Sequence, residues 1–333
     1  MADNDGIAGG YQLPFERPIL RLHKQIEELE AAQAKSGRDY VSEIHQIRAQ
    51  RTGLLRKTYE ALTAWETVQV ARHPARPLAK DYIAQIVKNF VELHGDRRFA
   101  DDKAIIAGIG SIGTEKAVII AQQKGRDTKE KVACNFGCAH PEGFRKALRV
   151  MQLAQKFHLP VVTMVDTQGA YPGVGSEERG VAEAIARNLL EMSRLATPIV
   201  CVVIGEGGSG GALGVAVGDR IAMLRFAYYS VISPEGCASI LWRTGEKAPE
   251  AAEALKLTAP QLKELDVIDD IIPEPLGAAH RDPVEAAGHL ERYLVKSLRE
   301  LKRLTPQTLL AQRYARWRRM GKVMYLTPQS SQL

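Results

Sequence analysis

A run of glycines, GEGGSGGA, follows an apolar segment and occupies residues 205–212 of this 333-residue chain. A helix that begins at such a turn presents unpaired backbone N–H groups and the positive end of its dipole. Those amides can hold an oxygen that becomes negative during a reaction, and glycine lacks the Cβ that would block close approach. The spacing favours an oxyanion-stabilising turn, with the N–H groups of Gly207 and Gly208 as donors. A tight helix–strand crossing that merely needs small residues is the alternative.

The same glycines fit other motifs, which predict different chemistry. The pattern G-x-G-x-x-G at 205–210 is the dinucleotide fingerprint, but several strands precede it and no suitably placed acidic residue follows it. Ser209 stands at the centre of G-x-S-x-G, which predicts a hydrolase if a histidine serves as its base. The downstream candidates His280 and His289 lie in no such motif. No Lys-Ser or Lys-Thr pair follows the glycines, which excludes a P-loop.

Two apolar runs of strand length end in glycine-rich loops, and one of them leads into the turn. LPVVTMVD ends at TQGAYPGVG, and TPIVCVVI ends at GEGGSGG. Continuous apolar runs bounded by glycine are typical of buried strands. Strand, glycine loop and helix, twice in succession, predict stacked right-handed βα units.

The flanking segments predict further elements around these units. KAIIAGIGSI and KAVIIAQQKG form a predicted hairpin through GTE, and RIAMLRFAYYSVIS a predicted strand pair, with another strand in DVIDDII. Helical patterns cover 79–94, PEGFRKALRVMQLAQKFH, SEERGVAEAIARNLLEMSRL, the small-residue segment ALGVAVG, PEGCASILW, ALKLTAPQLKEL and 283–303. Pro141 suits the first turn of its helix.

Both ends of the chain differ from the middle. Apolar residues at helical spacing predict two amphipathic helices over 18–35 and 40–70, and ARHPARP then breaks the pattern. We expect an N-terminal helical arm over 1–39, a catalytic domain over 40–298 whose core begins at about 76, and a basic tail over 299–333. Five basic residues surround Trp317 in that tail, and we expect a solvated helix end rather than a nucleic-acid or acidic-protein patch. They are Arg313, Arg316, Arg318, Arg319 and Lys322.

The composition is that of a globular protein, with 45% hydrophobic and 25% charged residues. No apolar run reaches about 18 residues and the N-terminus has no signal-peptide pattern, so we expect a cytoplasmic location. The four cysteines are irregularly spaced, and Cys134 and Cys138 lack the second pair that a zinc site needs, so we expect no metal. The net charge of +6 suits a polyanionic substrate such as coenzyme A.

Several long strings then stand in a fixed order: QKGRDTKEKVACNFG, DTQGAYPGVGSEERGVAEAIARNL, VIGEGGSGGAL and YSVISPEGCASILW. Over about residues 40–298 the chain closely resembles the carboxyltransferase alpha subunits of bacterial-type acetyl-CoA carboxylase. The resemblance implies an α/β, crotonase-like (ClpP/crotonase) spiral of ββα units with an N-terminal helical lead-in. It also implies transfer of a carboxyl group from carboxybiotin to acetyl-CoA, giving malonyl-CoA, the first committed step of fatty acid biosynthesis.

The resemblance also implies partners and ligands. A zinc-bearing beta subunit is expected in an α2β2 assembly, and the carboxyltransferase is active only with it. The biotin carboxyl carrier protein brings carboxybiotin, and a biotin carboxylase consumes the ATP. The ligands of this chain are therefore carboxybiotin and a coenzyme A thioester, with no metal, no membrane and no nucleic acid.

Carried over by position, Gly207 and Gly208 face the ureido oxygen of carboxybiotin, which gains negative charge as the carboxyl group leaves. The loop TQGAYPGVG is expected to line the same site, with Tyr171 packed on biotin; a turn with an internally packed tyrosine is the alternative. The family usually has proline where Gln168 stands, which is expected to loosen this loop. The substrate-binding residues expected in the loop are Gly169, Ala170, Tyr171 and Gly173.

The basic segment QKGRDTKEK contains Lys124, Arg126, Lys129 and Lys131. We expect some of them, first Lys124 and Arg126, to meet coenzyme A phosphates or the carrier protein, and a solvated loop is the alternative. Charge reversal at Arg126 is then expected to raise the KM for acetyl-CoA.

Two other functions stay open at this point. A different crotonase-fold enzyme on acyl-CoA, such as a hydratase, needs a positioned glutamate base, and no motif marks one. A non-catalytic scaffold that binds nucleic acid would show salt-dependent retention. Asp166 is expected to cap its loop, and Glu206 to anchor the glycine turn.

Overall fold

The computed structural model describes residues 11–321. Within them, one sheet of eight strands forms the centre, in the order β1-β2-β3-β4-β5-β6-β8, with β7 beside the end of β5. The strands are β1 (Val87–Glu92), β2 (Ile105–Ile112), β3 (Glu115–Gln122), β4 (Val161–Thr167), β5 (Ile199–Gly208), β6 (Arg220–Leu224), β7 (Tyr228–Ser230) and β8 (Asp270–Ile272). The first three pair antiparallel, and all later pairs are parallel.

Helices pack on the sheet, and further helices precede its first strand and follow its last strand in the chain. They are α1 (Arg17–Ser36), α2 (Val41–Glu60), α3 (Ala64–Ala71), α4 (Ala79–Ile86), α5 (Thr128–Ala133), α6 (Pro141–Lys156), α7 (Val174–Glu178), α8 (Val181–Arg194), α9 (Ser209–Leu213), α10 (Pro234–Trp242), α11 (Ala248–Leu255), α12 (Ala259–Glu264), α13 (Pro283–Leu301) and α14 (Pro306–Arg319). Among the helices of residues 11–321, none combines the length and apolarity that a membrane crossing needs.

The two apolar runs predicted as buried strands are β4 and β5. Every residue of both strands is buried, and they pair in parallel from Val161 opposite Ile199 onward. Because both faces of these strands are covered, their sequence shows no alternation of polar and apolar residues. Their carboxyl ends therefore meet at one edge of the sheet and deliver the two glycine-rich loops there.

The predicted hairpin is confirmed, since Ile112 of β2 pairs with Glu115 of β3. The helix predicted over 79–94 is correct only to Ile86, because Val87–Glu92 instead pairs antiparallel with β2. The helix predicted over 40–70 breaks at Thr63, whose side chain accepts a hydrogen bond from the Glu66 amide and begins α3 with a capping box. In each case tertiary pairing or a local cap overrides the apolar periodicity.

Three other predicted elements are divided in the structure. SEERGVAEAIARNLLEMSRL forms α7 and α8, separated at Gly180, whose φ is +77°. ALKLTAPQLKEL likewise spans the end of α11 and all of α12. RIAMLRFAYYSVIS gives β6 and β7, which both pair with β5 and not with each other.

The N-terminal helices pack as a pair and then join the core. Ile26 of α1 meets Ile44 and Ile47 of α2 in a small apolar cluster. A second cluster links Tyr59, at the end of α2, to Phe226 in the loop between β6 and β7. The lead-in is thus anchored beside the strands that carry the glycine turn.

The basic C-terminal segment is only in part the solvated helix end that the sequence suggested, because Arg318 and Arg319 are exposed whereas Arg313 and Arg316 are buried. α13 and α14 follow each other, and Arg313 of α14 is 1% exposed. Its guanidinium is 2.7 Å from Asp219 and donates to the carbonyls of Met192, Leu195 and Thr197. Of the predicted basic cluster, Lys322 lies outside the described residues.

Candidate active site

The loops after β4 and β5 cross with their backbones in contact. A Cβ at Gly208 would lie 2.1 Å from the carbonyl oxygen of Gln168, and one at Gly211 would lie 2.3 Å from the carbonyl carbon of Gly169. A Cβ at Gly205 would lie 2.5 Å from Asp166 Oδ1. Glycine is therefore required at these three positions by packing, as the alternative explanation of the motif proposed.

The amides of Gly207 and Gly208 lie within the sheet. Gly207 pairs with Thr167 of β4 and with Tyr229 of β7, and Gly208 pairs with Ser230. The Tyr229 N–H donates away from β5, to Leu257 O at 3.0 Å. Backbone groups alternate in direction along a strand, so the Gly207 N–H points to β7 and the Gly208 N–H to β4. This differs from the expectation that both amides face a ligand, because β5 continues through the glycines.

The amides of Gly210 and Gly211 are better placed to donate to a ligand oxygen. Ser209 begins α9 with a φ of +57°, and the amides of Gly210 and Gly211 fall in the first turn of that helix, where no intrahelical acceptor exists. Gly214 N–H donates to Gly210 O at 2.8 Å, which holds the short helix closed. The oxyanion role of Gly207 and Gly208 stays a prediction, and the geometry favours Gly210 and Gly211 as the donors.

An apolar pocket of about 370 Å³ opens beside Ser209 and Gly210. Its sides come from elements far apart in the chain, which the fold brings together. The lining side chains include Leu213, Tyr229, Val231, Leu262, Val267 and Trp317. Ser209 and Gly210 of the turn therefore face a cavity whose volume suits part of a small ligand.

A buried group of charges anchors the turn through Glu206, as expected from the sequence. Lys124 bridges Glu206 and Asp166, lying 2.8 Å from Asp166 Oδ1. Arg72 Nε lies 2.6 Å from Glu206 Oε1, and the Tyr228 hydroxyl donates to the same oxygen at 2.7 Å. The Glu206 amide in turn donates to Asp166 Oδ1 at 2.9 Å. The turn is thereby tied to β4, α3 and β7 at once.

These contacts set the charge states. Burial alone would raise the pKa of Glu206, but Lys124 and then Arg72 outweigh it and lower that pKa to about 2. Burial alone would lower the pKa of Lys124, and the two carboxylates instead hold it above its ordinary value. Glu206 is therefore a paired carboxylate and does not serve as the free glutamate base that a hydratase needs.

Arg72 extends this group to α10. Its second guanidinium nitrogen lies 2.5 Å from Glu235 in the first turn of α10. The residue stands in ARHPARP, which the sequence marked only as a boundary, and nothing in that string signals the contact. Sequence reasoning therefore missed Arg72, whose partners Glu206 and Tyr228 lie over a hundred residues away, and it missed Tyr228, which meets Glu206 only because β7 pairs with β5.

The loop TQGAYPGVG lies against the glycine turn, with Gly169 pinned by the Thr167 hydroxyl, which accepts from its amide at 3.1 Å. Tyr171 is 37% exposed, and its ring centroid is 4.3 Å from that of His140. A Cβ at Gly173 would lie 2.4 Å from that tyrosine ring. The ring is thus partly packed on its own loop, and one side stays open. The binding roles of Gly169, Ala170, Tyr171 and Gly173 stay predictions.

The basic segment QKGRDTKEK divides into two parts. The Lys124 side chain is 16% exposed and is engaged by two carboxylates, which does not suit the phosphate contact expected of it. Arg126 is half-exposed and pairs with Asp81, and Lys129 is exposed on α5. A contact of Arg126 with coenzyme A stays a prediction.

The hydrolase alternative lacks a base. His280 stacks on His73 with ring centroids 4.0 Å apart, and burial lowers the pKa of His280 to about 2. His289 contacts Pro273 O and Glu285. Within residues 11–321 no histidine hydrogen-bonds to Ser209, so the serine of the G-x-S-x-G motif has no histidine base there.

Within the part of the chain that the structure describes, no cluster of three or more His, Cys, Asp or Glu side chains could hold a metal ion. Cys134 and Cys138 are both free thiols there.

Comparison with protein families gives one match over nearly the whole chain. A family model described as "Acetyl co-enzyme A carboxylase carboxyltransferase-like" matches residues 12–321. A relative from Bordetella pertussis is 53% identical over 310 residues, covering 93% of this chain and 97% of the relative. One from Geobacter metallireducens is 52% identical over 316 residues, covering 95% and 99%. Both are named acetyl-coenzyme A carboxylase carboxyl transferase subunit alpha.

Solved structures share the fold. The transcarboxylase 12S hexamer matches with a TM-score of 0.53 and 22% identity, over 66% of this chain and 42% of that chain. The geranyl-CoA carboxylase beta subunit of P. aeruginosa matches with a TM-score of 0.53 and 17% identity, over 74% and 46%. A Pseudomonas malonate decarboxylase hetero-tetramer in complex with coenzyme A matches at 0.54 and 15%, over 67% and 91%. These likenesses confirm the expected crotonase-like fold.

Proposed function

The chain belongs to the family of acetyl-CoA carboxylase carboxyltransferase alpha subunits, and from that premise we propose that its glycine turn binds carboxybiotin during carboxyl transfer to acetyl-CoA. The activity is that of a carboxyltransferase subunit, and the family match spans almost all of the chain. The observation that carries the site is the pair of first-turn amides at Gly210 and Gly211, of which Gly210 lines the apolar pocket and Gly211 is its buried neighbour.

The residues present fit carboxybiotin. Bound there, carboxybiotin supplies an activated carboxyl group. The amides of Gly210 and Gly211 donate to an oxygen that gains negative charge, and glycine leaves room for a planar group at Gly210, where a Cβ would meet nothing closer than 3.9 Å. The buried charges at Glu206 keep the turn in place, so the donors need no rearrangement during the reaction.

The partner proposed is the carboxyltransferase beta subunit, because large apolar side chains are exposed after β7 and on α10. Val231 is 77% exposed, and Ile240 and Leu241 on α10 are 73% and 62% exposed. Large exposed apolar residues beside a polar site are typical of a protein interface. Arg72 connects α10 to Glu206, so a subunit docked on α10 lies next to the turn. The biotin carboxyl carrier protein is proposed to reach the same cleft from the open side.

Co-expression with a beta subunit tests the proposal. Decarboxylation of malonyl-CoA with free biotin as acceptor is expected from the two chains together and not from this chain alone. Ser209→Ala is expected to retain most of that activity, because only backbone groups are used at the turn. Complete loss in Ser209→Ala would support the hydrolase alternative, and no activity from the two chains together would contradict the proposal.

A further inference from the structure

A second cavity, of about 420 Å³, lies on another face of α8, between α6 and the loop that precedes β2. Five guanidinium groups line it, against the carboxylates of Asp96 and Glu183, which leaves an excess of three positive charges. The arginines are Arg97, Arg98, Arg145, Arg149 and Arg187. We propose that this arginine cavity binds a small phosphorylated anion that carries two linked phosphates.

The carboxylates of Asp96 and Asp101 are already engaged, whereas Glu183 has no ion pair within residues 11–321. Asp96 lies 2.8 Å from Arg145 Nε, and Asp101 lies 2.6 Å from the fully buried Lys146 ammonium. Arg187 has its own partner in Glu191, one turn along α8. For Arg97, Arg98 and Arg149, residues 11–321 provide no carboxylate at ion-pair distance. Three of the lining cations therefore have no ion-pair contact.

Two of these cations are held close together. Arg97 and Arg149 both donate to the carbonyl oxygen of His94, at 2.9 and 3.1 Å, and Arg149 also donates to Gly95 O at 3.0 Å. Partial burial and then the charge of Arg97 lower the pKa of Arg149. Like charges so arranged repel each other, and a bound anion between them removes the repulsion. Each guanidinium still has free N–H groups after these backbone bonds.

The chemistry favours phosphate over a single carboxylate. Guanidinium groups match the oxygens of phosphate in paired hydrogen bonds, and the cavity volume suits a small molecule. Two linked phosphates carry about two negative charges at neutral pH when both ends are esterified and about three when one end is free, which is close to the excess of the lining. The shared chemistry is that of nucleoside diphosphates and of coenzyme A.

One residue of the cavity, Asn188, is hydrogen-bonded to the segment that follows the glycine turn. Its side chain is fully buried and donates to Gly214 O at 2.9 Å at the end of α9. The Asn188 Oδ1 atom has no hydrogen-bond partner in the described residues. An anion in the arginine cavity would thus lie one side chain away from the helix that carries Gly210.

Calorimetric titration of the full chain with pyrophosphate tests the proposal. Arg149→Gln and Arg98→Gln are each expected to raise the dissociation constant about tenfold, because each removes a charged hydrogen-bond donor. Arg98→Gln is the variant that should disturb the fold least, since the Arg98 guanidinium makes no hydrogen bond or ion pair within residues 11–321. Arg194→Gln, an equal charge loss at the exposed end of α8, is the control and is expected to stay within about twofold.

Absence of pyrophosphate binding, or equal weakening by all three substitutions, would overturn the proposal. Titrations with ADP, coenzyme A and dephospho-coenzyme A identify the source of the phosphates. Tighter binding of coenzyme A than of ADP or the dephospho form assigns the cavity to the substrate, and the reverse assigns it to a separate nucleotide. Because the readout is binding by this chain alone, its failure leaves the proposed carboxyl transfer untouched.

Discussion

At the scale of single residues, the glycines of the turn serve two different purposes. Gly205, Gly208 and Gly211 allow the loops after β4 and β5 to touch, since a Cβ at any of them would lie within 2.5 Å of another atom. Gly210 meets no such neighbour and faces the apolar pocket. Gly207 is crowded as well, since a Cβ there would lie 2.8 Å from the Tyr229 ring. Packing thus explains four of the five glycines, and access to a ligand is the remaining explanation for Gly210.

Substitution by alanine is expected to separate these purposes. Gly210→Ala should fold normally and lose about a hundredfold in carboxyl transfer, because the new methyl group displaces the reacting carbonyl from the amides. Gly211→Ala should lose about 1–3 kcal/mol of stability, because its Cβ would clash with the Gly169 backbone. Thermal unfolding and the malonyl-CoA assay measure the two effects. Full activity in Gly210→Ala would exclude the proposed donor geometry.

Glu206 is expected to make stability depend on pH. Its pKa is lowered to about 2 in the folded chain, so its contribution is complete above the ordinary value near 4.5 and is lost as pH falls through about 2. At neutral pH Glu206→Gln should cost about 3–5 kcal/mol, since it leaves Lys124 and Arg72 short of a partner.

Denaturant titrations at pH 7 and at pH 3 measure this effect. The gap between wild type and Glu206→Gln should shrink at the lower pH. A gap that is the same at both pH values would show that the loss comes from packing and not from the charge of Glu206.

At the scale of elements, α14 acts as part of the core. The buried Arg313 guanidinium bonds three carbonyls at the end of α8 and beyond, together with Asp219 before β6. Its neighbour Trp317 lines the pocket beside the glycine turn. α14 therefore both ties the end of α8 to the start of β6 and lines the candidate ligand pocket.

Arg313→Met is expected to destabilise the chain by about 3–5 kcal/mol, because Asp219 and several carbonyls lose their partner in a buried setting. The control is Arg318→Met, an exposed arginine on the same helix, which should change stability by less than about 0.5 kcal/mol. Unfolding midpoints in urea compare the two. Similar midpoints for both variants would mean that α14 is dispensable for the fold.

At the scale of the whole molecule, the exposed apolar side chains of α10 point to assembly. Leu241→Glu is expected to abolish the complex with a beta subunit and with it the activity, because a charge in the centre of an apolar interface is left unpaired. Val284→Glu, at a somewhat more exposed apolar position on α13, is the control and should leave the complex intact. Size-exclusion chromatography of the mixed chains measures the result. An intact complex with the Leu241→Glu variant would show that the interface lies elsewhere on the chain.

The sequence by itself determined the local features. The runs that form β4 and β5, the β2–β3 hairpin, and α6 and α10 all follow from patterns that are complete within about twenty residues. The long matching strings identified the family for the same reason. The anchoring role expected of Glu206 is also confirmed, since Arg72 and Lys124 both pair with its carboxylate.

Only the tertiary structure decided which amides are free and which charges are buried. The pairing of Gly207 with Thr167 and Tyr229 depends on two other strands, and the engagement of Lys124 depends on β4 and the turn together. Arg72 and Arg313 likewise meet partners about a hundred residues away. Hydrogen-bond direction and desolvation are set by whatever packs alongside, so no local pattern in the chain can encode them.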